Sequence, residues 1–261
     1  MIFQFPIISH YASTRGWPYI ISWIHRGAGL VLVGFVWAHV YTLLSLSTPE
    51  AYSAAVKGYG SYPTIVLEWA LSLPLIFHAL NGGRLILYES FGLRNDSAMI
   101  RWVLALSAAY VSMLGLLMIL GDQQVSPLFY WMVVLPFAMA IMYSLAARLW
   151  SVPHAFTWRL QRLTAAFLLV FAPAHMVFMH LNASVARYPE IVIARVQNNF
   201  LKIMDLALLA AVSYHGAYGV VTVLKDYVSS RLVSTSLTLL VCFIIGVLAL
   251  AGARLILTLG L

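Results

Sequence analysis

Residues 215–227 read HGAYGVVTVLKDY, and residues 78–90 read HALNGGRLILYES. Each stretch closes a long apolar run. Each opens on a histidine, with a glycine at plus four and an acid at plus eleven: Gly219 and Asp226 in one, Gly82 and Glu89 in the other. Titratable side chains inside such runs are expensive and point to function. Their recurrence in the same order points to an internal repeat.

The surrounding composition says what the runs are. Of 261 residues, 62% are hydrophobic and 9% are charged. A soluble domain with that balance would expose large apolar patches. About 20 apolar residues cross a bilayer as a helix, and the sequence predicts seven such spans near 18–46, 63–90, 100–121, 128–150, 154–182, 200–227 and 234–258. The opening MIFQFPIISHYASTRGWP is neither Lys/Arg-led nor followed by a small-residue cleavage site, so it does not read as a secretory leader. The single cysteine, Cys242, excludes an internal disulfide, a four-cysteine iron–sulfur cluster and a CxxCH haem attachment within this chain. The formal charge of +7 points to basic loops beside a membrane rather than to nucleic acid.

Seven spans put the termini on opposite sides. Arg15, Arg26, Arg84, Arg94, Arg101, Arg148, Arg159, Arg162, Lys225 and Arg231 fall on the side of the N-terminus. Lys57, Arg187, Arg195, Lys202 and Arg254 fall on the other. Positive loops stay in the cytoplasm, so the N-terminus is expected there.

The repeat extends beyond the two quoted stretches. Arg26 precedes His39 by thirteen residues, and Arg162 precedes His175 by thirteen. His39 to His78 is 39 residues, and His175 to His215 is 40. The chain is therefore expected to be an all-α integral membrane protein of seven helices. It divides into a three-helix repeat at 1–122, a linker transmembrane helix at 123–152 and a second three-helix repeat at 153–261. The extra span lets both copies share one orientation, as parallel transporter repeats do.

Helix rise places the four histidines at two depths. Trp17 to His39 and Pro153 to His175 are each 22 residues, or roughly 33 Å from the inner face. His78 to Ser90 and His215 to Tyr227 are each twelve residues, or roughly 18 Å. One membrane histidine is often only a helix–helix hydrogen bond. Two facing histidines at each of two levels instead suit the axial positions of two haem irons in a four-helix core. Gly82 and Gly219, one turn beyond His78 and His215, remove a side chain where a flat macrocycle would lie. Pro74 and Pro173 would bend the ligand helices, which membrane helices tolerate. Zinc would want three or four ligands in one place. His180, five residues beyond His175, is the alternative outer ligand, or an interfacial group or quinone contact. His10 and His154 read as surface or loop residues. Glu68, in the second span, could serve as a proton group only with a partner that the sequence does not name.

At this point the residues resemble a known family. SWIHR at 22–26 followed by Gly29 resembles the S-x-x-H-R-x-x-G opening of the C-type anchor of succinate dehydrogenase. HALNGGRLILYE at 78–89 resembles that anchor's H-x-x-x-G-x-R helix, and HGAYGVVTVLKDY resembles the D-type anchor's helix ending in Asp-Tyr. The chain looks like both anchors of a succinate:quinone oxidoreductase or fumarate reductase fused through one added helix. Seven spans depart from the five or six usual in the family.

The resemblance implies two haem b groups. His78 and His215 would hold the proximal one, and His39 and His175 the distal one. His25 and Arg84 would lie near haem propionates. Ser22, Arg26, Asp226 and Tyr227 would form the quinone site, where hydroxyls and a fixed positive charge bind carbonyl oxygens. Partners would be the flavoprotein and iron–sulfur subunits, membrane quinone and the lipid bilayer, leaving a higher oligomer open. The location would be a bacterial or archaeal cytoplasmic membrane. Menaquinone and ubiquinone both remain open, because a proximal quinone motif and distal haem histidines occur together. The dicarboxylate chemistry of such an enzyme must lie in partner subunits, since this chain has no GxGxxG after a strand. Two other readings stand: a dihaem anchor of a formate or hydrogen dehydrogenase, and a transporter without haem. Lys225, Asp226 and Tyr227 could instead be an interfacial anchor, and His25 and Arg26 ordinary basic residues of the inner face.

Overall fold

A computed structural model describes residues 11, 13–59, 61–151, 153–182 and 184–259. His10 and most of the opening stretch lie outside the described residues. Seven long helices among the described residues are apolar enough to cross a membrane. They are α1 (Trp17–Leu44), α3 (Tyr62–Phe91), α4 (Asp96–Leu120), α5 (Pro127–Leu149), α6 (Phe156–Leu181), α9 (Asn199–Tyr227) and α10 (Arg231–Thr258). The short helices α2 (Pro49–Val56), α7 (Ser184–Arg187) and α8 (Pro189–Gln197) lie in the connections at the far end of the bundle. The fold is all-helical, as the composition requires.

Local chemistry marks the helix ends. Proline stands in the first turn of α1, α2, α3, α5 and α8, where its missing N–H costs nothing. The side chains of Asn95, Ser126, Asn198 and Ser230 accept from the first free amides of α4, α5, α9 and α10. Gly92, at φ 70°, supplies the left-handed turn that stops α3 just after Glu89 and Ser90.

Four helices form the centre. α1 packs on α3, α3 on α6, α6 on α9, and α9 back on α1. This ring places α1 diagonally opposite α6, and α3 diagonally opposite α9. The remaining spans lie outside it: α4 covers α3, α10 covers α9, and α5 covers α6. Their outer faces are apolar and exposed, with Ile119 at 83% and Leu250 at 75%. Such faces meet lipid, which asks for no polar partner from a helix whose backbone is already bonded.

Close approach in the ring depends on small residues. A Cβ at Gly83 would stand 3.2 Å from Leu169, and one at Gly216 would stand 3.3 Å from Val33. Membrane helices without a hydrophobic drive between them gain from such backbone proximity. The centre of α6 is fastened by hydroxyls from two neighbours. Tyr110 of α4 donates to the Pro173 carbonyl and Tyr130 of α5 donates to that of Ala174, each at 2.8 Å.

The linker helix α5 does more than return the chain. Trp131 is buried and stacks on Phe171, with ring centroids 5.2 Å apart, and lies 6.4 Å from His175. At the far end, buried Asn182 clamps the turn before α5. Its Oδ1 accepts from the Val125 amide at 2.6 Å, and its Nδ2 donates to the Val125 carbonyl at 2.5 Å. The contribution of α5 is aromatic packing against α6.

Candidate functional site

The four-helix ring brings the histidines together across its two diagonals. His39 of α1 faces His175 of α6, with ring centroids 6.3 Å apart and planes at 74°. His78 of α3 faces His215 of α9, with centroids 6.0 Å apart and planes at 89°. Imidazole nitrogen binds a metal at about 2 Å, so two rings sharing one ion would hold their centroids roughly 6 Å apart. Both pairs therefore have the span of an axial ligand pair. The described residues contain no group of three or more His, Cys, Asp or Glu arranged as a cage. Each diagonal brings two histidines together.

The inner pair has a built surrounding. His78 Nδ1 donates to the His25 carbonyl at 3.0 Å, which leaves Nε2 as the free lone pair. Metal-binding histidines are oriented in this way by a carbonyl on the other nitrogen. The His25 ring stacks flat on His78, with centroids 3.9 Å apart and planes at 3°. Gly29, one turn after His25, leaves the space that this ring fills, since a Cβ there would stand 2.9 Å from His78 Cε1. Gly82 lies beside the His25 ring, at 3.8 Å from a would-be Cβ, and nothing lies within 4 Å of one at Gly219. His175 Nδ1 and His215 Nδ1 are buried without a hydrogen-bond partner. Buried polar atoms of that kind call for a ligand or a water.

Arg84 is buried and committed elsewhere. Its Nε donates to Asn81 Oδ1 at 2.8 Å, and its Nη1 pairs with Asp96 at the start of α4. It fastens α3 to α4 while remaining within electrostatic reach of His25. Asn81 and Asp96 as its partners were invisible in the sequence, where no spacing joins them to a function.

At the N-terminal face, the end of the bundle where α1 begins, Arg26 meets the end of α9. Its Nη2 lies 3.0 Å from Asp226 Oδ2, and its Nη1 donates to the Tyr227 hydroxyl. Trp23 packs on Tyr227 with ring centroids 5.1 Å apart, an aromatic neighbour that sequence reading missed. Ser22 is exposed one turn before Arg26 on the same helix. Arg26, Asp226 and Tyr227 all keep partial exposure, so the cluster lies open at the edge of the ring.

The repeat counterpart is closed differently. Arg162 of α6 lies 2.6 Å from Glu89 at the end of α3, and its guanidinium covers the Trp158 ring. Where Tyr227 follows Asp226, Ser90 follows Glu89. Its hydroxyl is buried and unpartnered, as are Gln161 Oε1, Arg162 Nε and His25 Nδ1. Leu145 and Leu149 of α5 pack over this corner with Ile86 and Trp158. His154 packs tilted on Trp158, with ring centroids 4.1 Å apart.

Towards the far face, His180 points away from the histidine pairs. Its Nδ1 donates to the Met176 carbonyl at 2.7 Å, and its Nε2 lies 3.9 Å from Glu68. Glu68 thus has a partner that the sequence could not supply. The ring facing His39 belongs to His175.

Comparison with known proteins agrees with this geometry at the level of family. The membrane subunit SdhC of succinate dehydrogenase 2 from Mycobacterium tuberculosis is 35% identical over 77 residues, which is 29% of this chain and 57% of that protein. The chain thus spans little more than half the length of that curated relative. No solved structure matches the chain. The model of the succinate dehydrogenase/fumarate reductase transmembrane subunit matches residues 6–116 and 142–253, one stretch in each half and most of the sequence. With seven apolar helices, four of them forming a histidine-bearing centre, the chain belongs to the succinate dehydrogenase/fumarate reductase transmembrane subunit family.

Proposed function

We propose that this chain is the dihaem cytochrome b anchor of a succinate dehydrogenase or fumarate reductase complex, joining an iron–sulfur subunit to membrane quinone. The observation that carries the reading is the pair of diagonals, with histidines facing at 6.3 Å and at 6.0 Å. Haem b bound there would supply one-electron transfer through the membrane. The residues fit the group. His78 would use Nε2, its Nδ1 being held by the His25 carbonyl, and the buried Nδ1 of His175 and that of His215 meet no hydrogen-bond partner. His39 and His175 would hold the distal haem, and His78 and His215 the proximal one. Gly82, Gly219, His25 and Arg84 would surround the latter.

Arg26, Asp226, Tyr227 and Ser22 would form the quinone site. Reduction of a quinone takes two electrons and two protons, so its carbonyl oxygens need donors and a proton source. Tyr227 accepts a hydrogen bond from Arg26, which leaves its own O–H free to donate to a carbonyl oxygen. Arg26 brings fixed positive charge against negative charge arriving on the quinone. Asp226 orients that guanidinium and stands where a proton could pass to the aqueous side. The excess of basic residues at this face supports a cytoplasmic N-terminus and docking of the flavoprotein and iron–sulfur subunits here. The reciprocal Arg26–Asp226 and Arg162–Glu89 pairs support two three-helix repeats around the linker helix.

A formate- or hydrogen-type dihaem anchor commonly takes two ligands from one helix, whereas here four helices give one each. The test is the visible spectrum and haem content of the purified chain in its complex. Two b-type haems with bis-histidine spectra are expected. A count of one removes the outer pair, and a colourless protein favours the transporter reading.

A further inference from the structure

Helix α8 lies on the far side of the bundle, between α6 and α9, and carries Arg195. The Arg195 side chain is 10% exposed, and its partner Asp205, on the second turn of α9, is 17% exposed. The Arg195 Nη2 donates to both carboxylate oxygens of Asp205. Its Nε–H is buried and has no acceptor. A guanidinium in this state has Nη2 engaged and its Nε–H waiting. The acceptor that suits a buried, charged N–H best is a second carboxylate oxygen.

Its position narrows the choice of carboxylate. Arg195 shares its end of the bundle with His39: Leu43, one turn beyond His39 on α1, packs on the buried Leu46, Tyr52 and Val56. Val192, one turn earlier on α8, packs on the Leu46, Tyr52 and Val56 cluster, which seats α8 over the far end of α1. The waiting Nε–H therefore sits at the far end of the outer histidine diagonal. A buried ion pair adds little to stability by itself, because desolvation offsets most of its attraction. A third charged group at this place gives the pair a function.

We infer that Arg195, oriented by Asp205, binds a carboxylate of the porphyrin held between His39 and His175, and so anchors the outer haem from the far side. The inference rests on the dihaem reading. Arg195 acts as a positioning residue, with two effects that can be separated. Its Nε–H grips the carboxylate, which slows haem release. Its positive charge opposes the extra positive charge of the ferric state, which raises the midpoint potential of that haem. Asp205 has the opposite electrostatic sign.

The test uses the purified complex, with potentiometric titration of each haem and the rate of haem transfer to an added apo-globin acceptor. The inner haem is the internal control. In Arg195→Gln the outer haem should titrate at a lower potential and leave roughly tenfold or more faster, the size expected for a group that orients a metal site. Arg195→Lys should keep the potential near that of the parent and still release the haem faster, since the charge remains and the Nε–H is lost. Asp205→Asn should raise the outer potential, which keeps the inference testable should Arg195→Gln fail to fold. Unchanged release and unchanged potential in Arg195→Gln, with only a lower melting temperature, would show a structural staple and overturn it. A shifted potential with unchanged release would overturn the carboxylate bond. A single haem in the parent protein overturns the dihaem reading instead, and is seen before any variant is made.

Discussion

The guanidinium of Arg26 lies 3.0 Å from the carboxylate of Asp226, across the contact between the first helix of one half and the second helix of the other. The equivalent pair, Arg162 with Glu89, runs the opposite way between the same two halves. The two pairs differ in cover. Side-chain exposure is 37% and 42% for Arg26 and Asp226, against 22% and 32% for Arg162 and Glu89. Leu145 and Leu149 of α5 pack with Ile86 and Trp158 at the second corner. The Arg26 corner is the more exposed of the two.

That asymmetry makes the two arginines separable. Arg26→Gln should cut quinone reduction while leaving both haem spectra intact. Arg162→Gln should disturb the inner haem spectrum or the melting temperature more than the quinone kinetics. Equal effects of the two on quinone kinetics would remove Arg26 from the site.

Tyr227→Phe removes one hydroxyl and keeps the ring against Trp23. A hydrogen bond to a charged group contributes about 1.5–3 kcal/mol, so quinone turnover should fall roughly tenfold to a hundredfold. Haem content should not change. Steady-state reduction of a soluble quinone analogue by the complex measures the first, and the pyridine haemochrome the second.

Gly29→Ala tests the inner pocket from the opposite wall. The added methyl would lie 2.9 Å from His78 Cε1 and 3.3 Å from Nδ1. The ring must turn, which breaks its bond to the His25 carbonyl. Loss of the inner haem with retention of the outer is expected. Gly34→Ala is the control, because nothing lies within 4 Å of its Cβ.

His175→Ala should remove the outer haem, while His180→Ala should retain it, since His180 is turned to Met176 and Glu68. Loss of the outer haem in His180→Ala alone would exchange the two assignments. Haem counting on the two purified variants decides it.

Asn182→Ala leaves the amide and carbonyl of Val125 without their side-chain partner in a half-exposed turn. An ordinary hydrogen bond contributes about 0.5–1.5 kcal/mol. The melting temperature in detergent should drop, with the haem spectra of the folded fraction unchanged.

Much of this protein is legible along the chain. Seven spans follow from the run lengths alone, because a bilayer requires about 20 apolar residues per helix and leaves little freedom in the answer. The histidines, the acids at plus eleven and the arginines were also visible, since each stands out against an apolar background. Their spacing assigned them to levels, because helix rise is constant.

Lateral position was not legible. Which helix lies diagonal to which depends on packing between surfaces that are all equally apolar, and hydropathy does not distinguish them. Only the tertiary structure decided that α1 faces α6 and α3 faces α9. It also decided that Glu68 has His180 as a partner and that Arg84 is spent on Asn81 and Asp96. Arg195 passed in the sequence as one of the basic residues opposite the N-terminus. Its meaning came from Asp205, ten residues on, and from a fold that lays a short helix over the end of the histidine pair. The sequence by itself determined the depth of each polar group, because depth is counted along a helix. The tertiary structure decided which groups meet, because meeting is a matter of how helices pack side by side.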